Sequence, residues 1–205
     1  VGAAYLLTDA TSIFSEFYAR PSIVVAGDAA RTAANIMAHP QLFRASAVAD
    51  VLSVAGVVLL NLALYELLKS VHRSLARLAA FWRLAETAVA GSITASSFLA
   101  LSLLDNATYA SAFSPGELHG LVRLLVGFQA SGYLIQIFLF GLGSTTYMYL
   151  LVKSRYVPRA IAYLAVTGSA IVACVSFARM AFPTARATII EAGEAPAPEP
   201  EREPL

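Results

Sequence analysis

The stretch VAGVVLLNLALYELL, residues 54–68, decides the fold. Only Gly56, Asn61 and Glu66 interrupt its apolar character, and it belongs to a longer run from Ala45 to Leu68 with Asp50 near the start. A helix of roughly 20 apolar residues crosses about 30 Å of hydrocarbon, whereas helices of soluble proteins average about 11–12 residues. Three further runs have the same character. Leu75 to Leu104 is interrupted by Arg77, Arg83 and Glu86; Leu121 to Val152 carries no charge after Arg123; Val157 to Phe182 contains Arg179 near its end. The chain therefore reads as all-α, a polytopic transmembrane helix bundle.

Composition agrees. Of 205 residues, 58% are hydrophobic and 13% charged, against about half and about a quarter in ordinary globular chains. Mean hydropathy is +0.68. A water-soluble domain of this length leaves too much of its chain exposed to hide so much apolar surface, and a disordered or collagen-like chain is excluded as well. Net charge is +1, so no basic field exists to hold nucleic-acid phosphates. The single cysteine, Cys174, permits neither an internal disulfide nor a cysteine metal cluster.

The first residues, VGAAYLLTDATSIF, are apolar but short, with Asp9 inside them. No basic run precedes them as a signal peptide requires, so they are read as a fifth span lacking its first turn or two. A helix lying in the interface is the alternative. The expected spans are about 1–17, 45–68, 75–104, 119–152 and 157–182, forming one domain over 1–182. From Glu191 the chain alternates proline, alanine and glutamate, and residues 183–205 are expected to form a disordered Pro/Glu-rich tail.

Basic residues in short loops set orientation. One connection carries Lys69, Arg73 and Arg77, another Lys153, Arg155 and Arg159, and Asp105 to Gly120 has neither Lys nor Arg. This places the dense basic loops and the N-terminus in the cytoplasm, with the tail outside. Ser114-Pro115-Gly116-Glu117 is a capping box with proline at the first helical position, and Pro158 opens the last helix. Asp28 is a suitable N-cap for a short amphipathic helix through about Ala38, stopped by Pro40 and expected to lie on the outer surface. Asn106-Ala107-Thr108 is a glycosylation sequon too near the membrane to expect use.

Ionisable groups inside a span cost several kcal/mol unless paired or wet, on the order of the insertion penalties for charged residues. Arg83 and Glu86 stand three apart on one helix face, continued by Ala90, Thr94 and Ser97. Asp50 and Asn61 share a face of the preceding helix, and Gln129 and Gln136 share one on the next. A cytoplasmic-side layer of Arg83, Glu86 and Asn61, with Asp9 or Gln136, and an outer layer of Asp50, Arg123 and Arg179 are expected. Arg83, Glu86, Asn61, Asp9 and Asp50 are thus the candidate binding residues. Structural pairing of helices is the favoured explanation of such groups, each bond being worth about 1 kcal/mol, with snorkelling to the interface a further one for the outer layer. His39, His72 and His119 are placed in loops, leaving no metal or haem ligand set, and no nucleophile set lies at one depth. Neither a cofactor nor a catalytic residue is expected. Gly141-x-Gly143 reads as close helix packing, and Trp82, Tyr147, Tyr149 and Tyr156 as an interfacial aromatic belt.

The chain resembles a bacterial membrane family catalogued as domain of unknown function 4386. The features that carry the resemblance are Gly2 to Leu7 before Thr8-Asp9, Gly27-Asp28, Thr32 to Ala38 before Leu42-Phe43-Arg44, and Leu64-Tyr65 with Leu67-Leu68-Lys69. Phe81-Trp82-Arg83-Leu84-Ala85-Glu86, Phe140-Gly141-Leu142-Gly143 and Ser154-Arg155-Tyr156-Val157-Pro158-Arg159 complete them. The likeness covers residues 1–182 and implies a small helical integral membrane protein without a known activity. The favoured reading is a non-enzymatic plasma-membrane bundle that binds a protein or lipid partner, with small residues such as Gly91, Ala95 and Gly168 along its helix contacts. The alternative is a small transporter or proton-linked permease using the Arg83/Glu86 cluster, reached by a wet path from Tyr65 and Asn61 toward Asp9.

Overall fold

The computed structural model describes residues 2–25, 29–105 and 113–182. Asp28, the Asn106-Ala107-Thr108 sequon and the tail from residue 183 lie outside them. Among the described residues every regular element is helical. Helix α1 (Gly2–Ile13) passes through a π-helical turn (Phe14–Ala19) into the short α2 (Arg20–Ile23); α3 (Ala29–Ala38), α4 (Pro40–Asp105), α5 (Pro115–Ser154) and α6 (Arg159–Ala181) follow. Three of these helices, α4, α5 and α6, are long and apolar enough to cross a membrane.

Straight, the 66 residues of α4 would reach about 100 Å at roughly 1.5 Å per residue. They do not run straight. At His72 the backbone is extended (φ −159°, ψ 98°), and Asn61 Nδ2 donates to the carbonyl of Ala80 at 3.2 Å, two points about 28 Å apart on a continuous helix. The helix therefore folds back on itself as a hairpin of arms 40–71 and 73–105. The loop expected around Lys69 shrinks to one residue because the His72 ring caps the second arm, its Nδ1 accepting from the backbone N–H of Leu75 at 3.3 Å.

Neighbouring elements alternate in direction. Ser12 meets Ser53 at 2.8 Å and Arg20 meets Asp50 at 3.2 Å, so α1 runs antiparallel to the first arm. Gln129 donates to Ser97 at 3.2 Å while Gly143 meets Arg83, setting α5 antiparallel to the second arm, and Phe138 packs on Phe177 while Gly141 meets Ala173, setting α6 antiparallel to α5. Glycines bring these helices close. A Cβ on Gly56 would collide with Thr8 Oγ1, and one on Gly141 would lie 2.7–2.9 Å from Ala173. The small residues expected at contacts are not the ones used: a Cβ on Gly91 or Gly168 meets nothing within 4 Å, and Ala95 is exposed. Helical spacing alone does not tell which of several small-residue faces meets a neighbour.

Three local expectations change. Pro40 begins α4 rather than merely ending α3, since proline lacks only an N–H that the first turn leaves unpaired anyway. His119 stands in the first turns of α5, not in a loop, because the Ser114–Glu117 capping box has already started the helix. Pro158 is the N-cap of α6 rather than its first residue, and Arg155 takes a left-handed conformation (φ 59°) to end α5.

The interior is apolar at its two ends and polar between. Leu68, Ala76, Ala79, Tyr147 and Leu150 pack at the hairpin end. At the other end α3 lies against α4 and α5, placing Ile36 with Ile23, Phe43 and Leu101; Thr32 and Asn35 tie α3 to the backbone of Val25 and Ile23. Between them Arg83, Glu86, Thr87, Thr94, Ser96, Ser97 and Ser144 are all buried. The outside reverses the soluble pattern. Phe17 is 79% exposed, Leu164 74%, Leu6 73% and Leu124 70%, within a surface that also bares Phe81, Ile161, Ile171 and Phe177.

Candidate functional site

The buried polar layer centres on the second arm of α4. Arg83 and Glu86, one helical turn apart, meet with Nη1 and Oε2 at 3.0 Å while their side chains are only 10% and 6% exposed. Neither atom makes a well-aligned hydrogen bond, so charge rather than hydrogen-bond geometry holds the pair. The Arg83 guanidinium also lies 4.7 Å from the centre of the Phe140 ring, a favourable cation–π arrangement. Gly143 makes room for it, since a Cβ there would stand 2.8 and 2.9 Å from Arg83 Cγ and Cδ. Gly141 and Gly143 thus share the work on α5, one admitting α6 and the other admitting an arginine.

Helix α1 packs on the first arm of α4 and leaves a space toward α5 and α6. That space is a partly open cavity of about 430 Å³. Its polar lining is Thr8, Asp9 and Ser12 from α1, Ser53, Arg83 and Glu86 from α4, and Gln136 from α5. The Gln136 amide and the Glu86 carboxylate both line this space. Val57, Leu60, Ile137, Phe140 and Val172 form apolar walls, with Tyr5 and Tyr133 at the sides. Asp9 is exposed, and among the described residues it makes neither a hydrogen bond nor an ion pair.

A smaller recess of about 90 Å³ adjoins this cavity, sharing Ser12, Ser53, Tyr133 and Gln136, and ends at the Arg20–Asp50 ion pair. The π-helical turn joins α1 to α2 between Ser12 and Arg20. Such turns occur frequently at functional sites.

Of the five sequence candidates, the cavity gathers Asp9, Arg83 and Glu86. Asp50 lines the adjoining recess and pairs with Arg20 rather than with Arg123 or Arg179, both of which are exposed. Asn61 belongs elsewhere. Its Oδ1 accepts from the Tyr147 hydroxyl at 2.6 Å and its Nδ2 donates to Ala80, so it fastens the hairpin. Tyr147 is 1% exposed, which removes it from the aromatic belt; Tyr149 and Tyr156 remain exposed. The wet route from Tyr65 and Asn61 toward Asp9 is likewise replaced, since both residues sit with the hairpin-end apolar cluster or its Tyr147 lock. Arg20 and Ser12 were missed, although Arg20 follows Asp9 by about three helical turns, the spacing that linked Asp50 to Asn61.

No curated protein and no solved structure matches this sequence. A family model described as a domain of unknown function matches residues 1–197, reaching fifteen residues beyond the expected limit at 182. The chain belongs to that family, DUF4386.

Proposed function

We propose that this chain is a plasma-membrane protein of five spans that binds a small amphiphilic molecule in the cavity between α1 and the α4 hairpin, without transforming it. The spans are α1 with its π-helical continuation, the two arms of α4, α5 and α6, with α3 lying across the outer end and the N-terminus in the cytoplasm. The exposed Phe, Leu and Ile side chains support a lipid surround, and the basic hairpin and the Lys153–Arg159 loop support the orientation. The partner is lipid-like rather than macromolecular.

One observation carries the reading. A cavity lined by charged groups (Asp9, Arg83, Glu86) and apolar walls (Ile137, Phe140, Val172) opens where α1 stands away from α5 and α6. A polar head meets the charged groups while an apolar body lies along the walls, the usual division of labour in ligand sites. A permease reading draws support from the adjoining recess toward Arg20 and Asp50. It is the weaker reading, because Leu68, Leu150 and the Tyr147–Asn61 bond close the hairpin end.

Native mass spectrometry of protein extracted gently from its membrane tests this. The expected result is a bound small amphiphile that is lost when Ser53→Phe fills the cavity. Ligand-free protein, or an adduct unaffected by that substitution, contradicts the reading.

A further inference from the structure

The charges on the cavity lining do not cancel. Arg83 contributes one positive charge, and Asp9 and Glu86 one negative charge each. Glu86 neutralises Arg83 at 3.0 Å, and the guanidinium is further engaged by Phe140. In the adjoining recess Arg20 and Asp50 neutralise one another at 3.2 Å. The Asp9 carboxylate is the group left over, on a helix whose neighbouring residues Tyr5, Leu6 and Ile13 are exposed apolar side chains.

An ionised carboxylate in such surroundings requires a cation, a proton or water. Among the described residues no further cation is offered: every basic side chain that lines either cavity is already matched to a carboxylate. From this arrangement, and resting on the cavity reading above, we infer that the site selects an ammonium group carried on an apolar body, with Asp9 as its counter-ion. The ammonium sits against Asp9 at the cavity mouth, and its carbon chain lies along Ile137, Phe140 and Val172. Hydroxyls of Ser12 and Ser53, already bonded to each other at 2.8 Å, stand one turn further in and can accept the remaining ammonium hydrogens. An anionic head would face a lining of net negative charge and is rejected. The ammonium can come from a free alkylamine or from the head of an aminophospholipid; both present the same group to Asp9.

The test uses the full chain in a neutral maltoside detergent, with dissociation constants measured for dodecylamine, dodecanol and dodecyl phosphate. Dodecylamine is expected to bind about tenfold more tightly than dodecanol, a factor that corresponds to about 1.4 kcal/mol, and dodecyl phosphate more weakly than either. Asp9→Asn should bring amine and alcohol to within about twofold, a residue of this kind losing its charge pair and little else; Asp9→Glu should keep the preference, which separates charge loss from misfolding. Competition by phosphatidylethanolamine but not phosphatidylglycerol points to a lipid head as the source, and absence of competition points to a free amine; either outcome upholds the inference. Equal binding of amine and alcohol, or a preference that survives Asp9→Asn, overturns it while leaving the amphiphile cavity standing. Failure of all three probes to bind overturns the cavity reading itself.

Discussion

Replacing Glu86 by Gln removes one charge of a pair that the bundle surrounds almost completely. The side chain at 86 is left isosteric and neutral, while Arg83, 10% exposed, keeps its charge and loses the carboxylate at 3.0 Å. Breaking a buried pair on one side typically costs about 3–5 kcal/mol. Two features pull the value toward the lower end. The Phe140 ring retains a cation–π contact worth about 0.5–2 kcal/mol, and the cavity lets water reach the guanidinium. A loss of about 3 kcal/mol is therefore expected. The double replacement Arg83→Met with Glu86→Leu should cost less than about 1 kcal/mol, because removing both charges also removes their desolvation. Reversible unfolding in mixed micelles, titrated with dodecyl sulfate and followed by circular dichroism, gives both values. A loss below about 1 kcal/mol for Glu86→Gln, or a double variant as unstable as the two single changes added together, would refute the reasoning.

Three further variants probe the helix contacts and the hairpin lock. Gly141→Ala should destabilise by about 1–3 kcal/mol in the same titration, because its Cβ would lie 2.8 Å from the Ala173 backbone nitrogen; Gly168→Ala, which meets nothing within 4 Å, should be neutral or stabilising by up to about 1 kcal/mol. Tyr147→Phe deletes the donor to Asn61 Oδ1 and should cost about 1 kcal/mol. Tyr147 does not line the cavity, so the variant should leave the amphiphile adduct seen by native mass spectrometry intact.

Helix content and the long apolar runs were legible because hydrocarbon-length apolar stretches have few other solutions. The Arg83–Glu86 pair was legible for a local reason: residues three apart on a helix must share a face. The single-residue turn at His72 was not, because it depends on an imidazole reaching a backbone N–H that only the folded hairpin presents. Asp50 illustrates the same limit. Its position in the first arm was clear, but its partner opens α2, beyond a π-helical turn that shifts the register, and no periodicity announces that shift. Asn61 looked like a cavity residue because a buried amide and a ligand-binding amide are indistinguishable in sequence. The hydroxyl of Tyr147, eighty-six residues away, decides between them.

The central claim is that lipid surrounds the outside of the bundle while the space beside Arg83 and Glu86 is polar and wet. Spin labels in reconstituted bilayers address it directly, in a Cys174→Ala background because Cys174 is exposed. A label at Leu164 should collide with dissolved oxygen and be shielded from a water-soluble nickel chelate, and a label at Ser53 should show the reverse balance. A Leu164 label readily reached by the chelate, or a Ser53 label that senses only oxygen, would contradict the account.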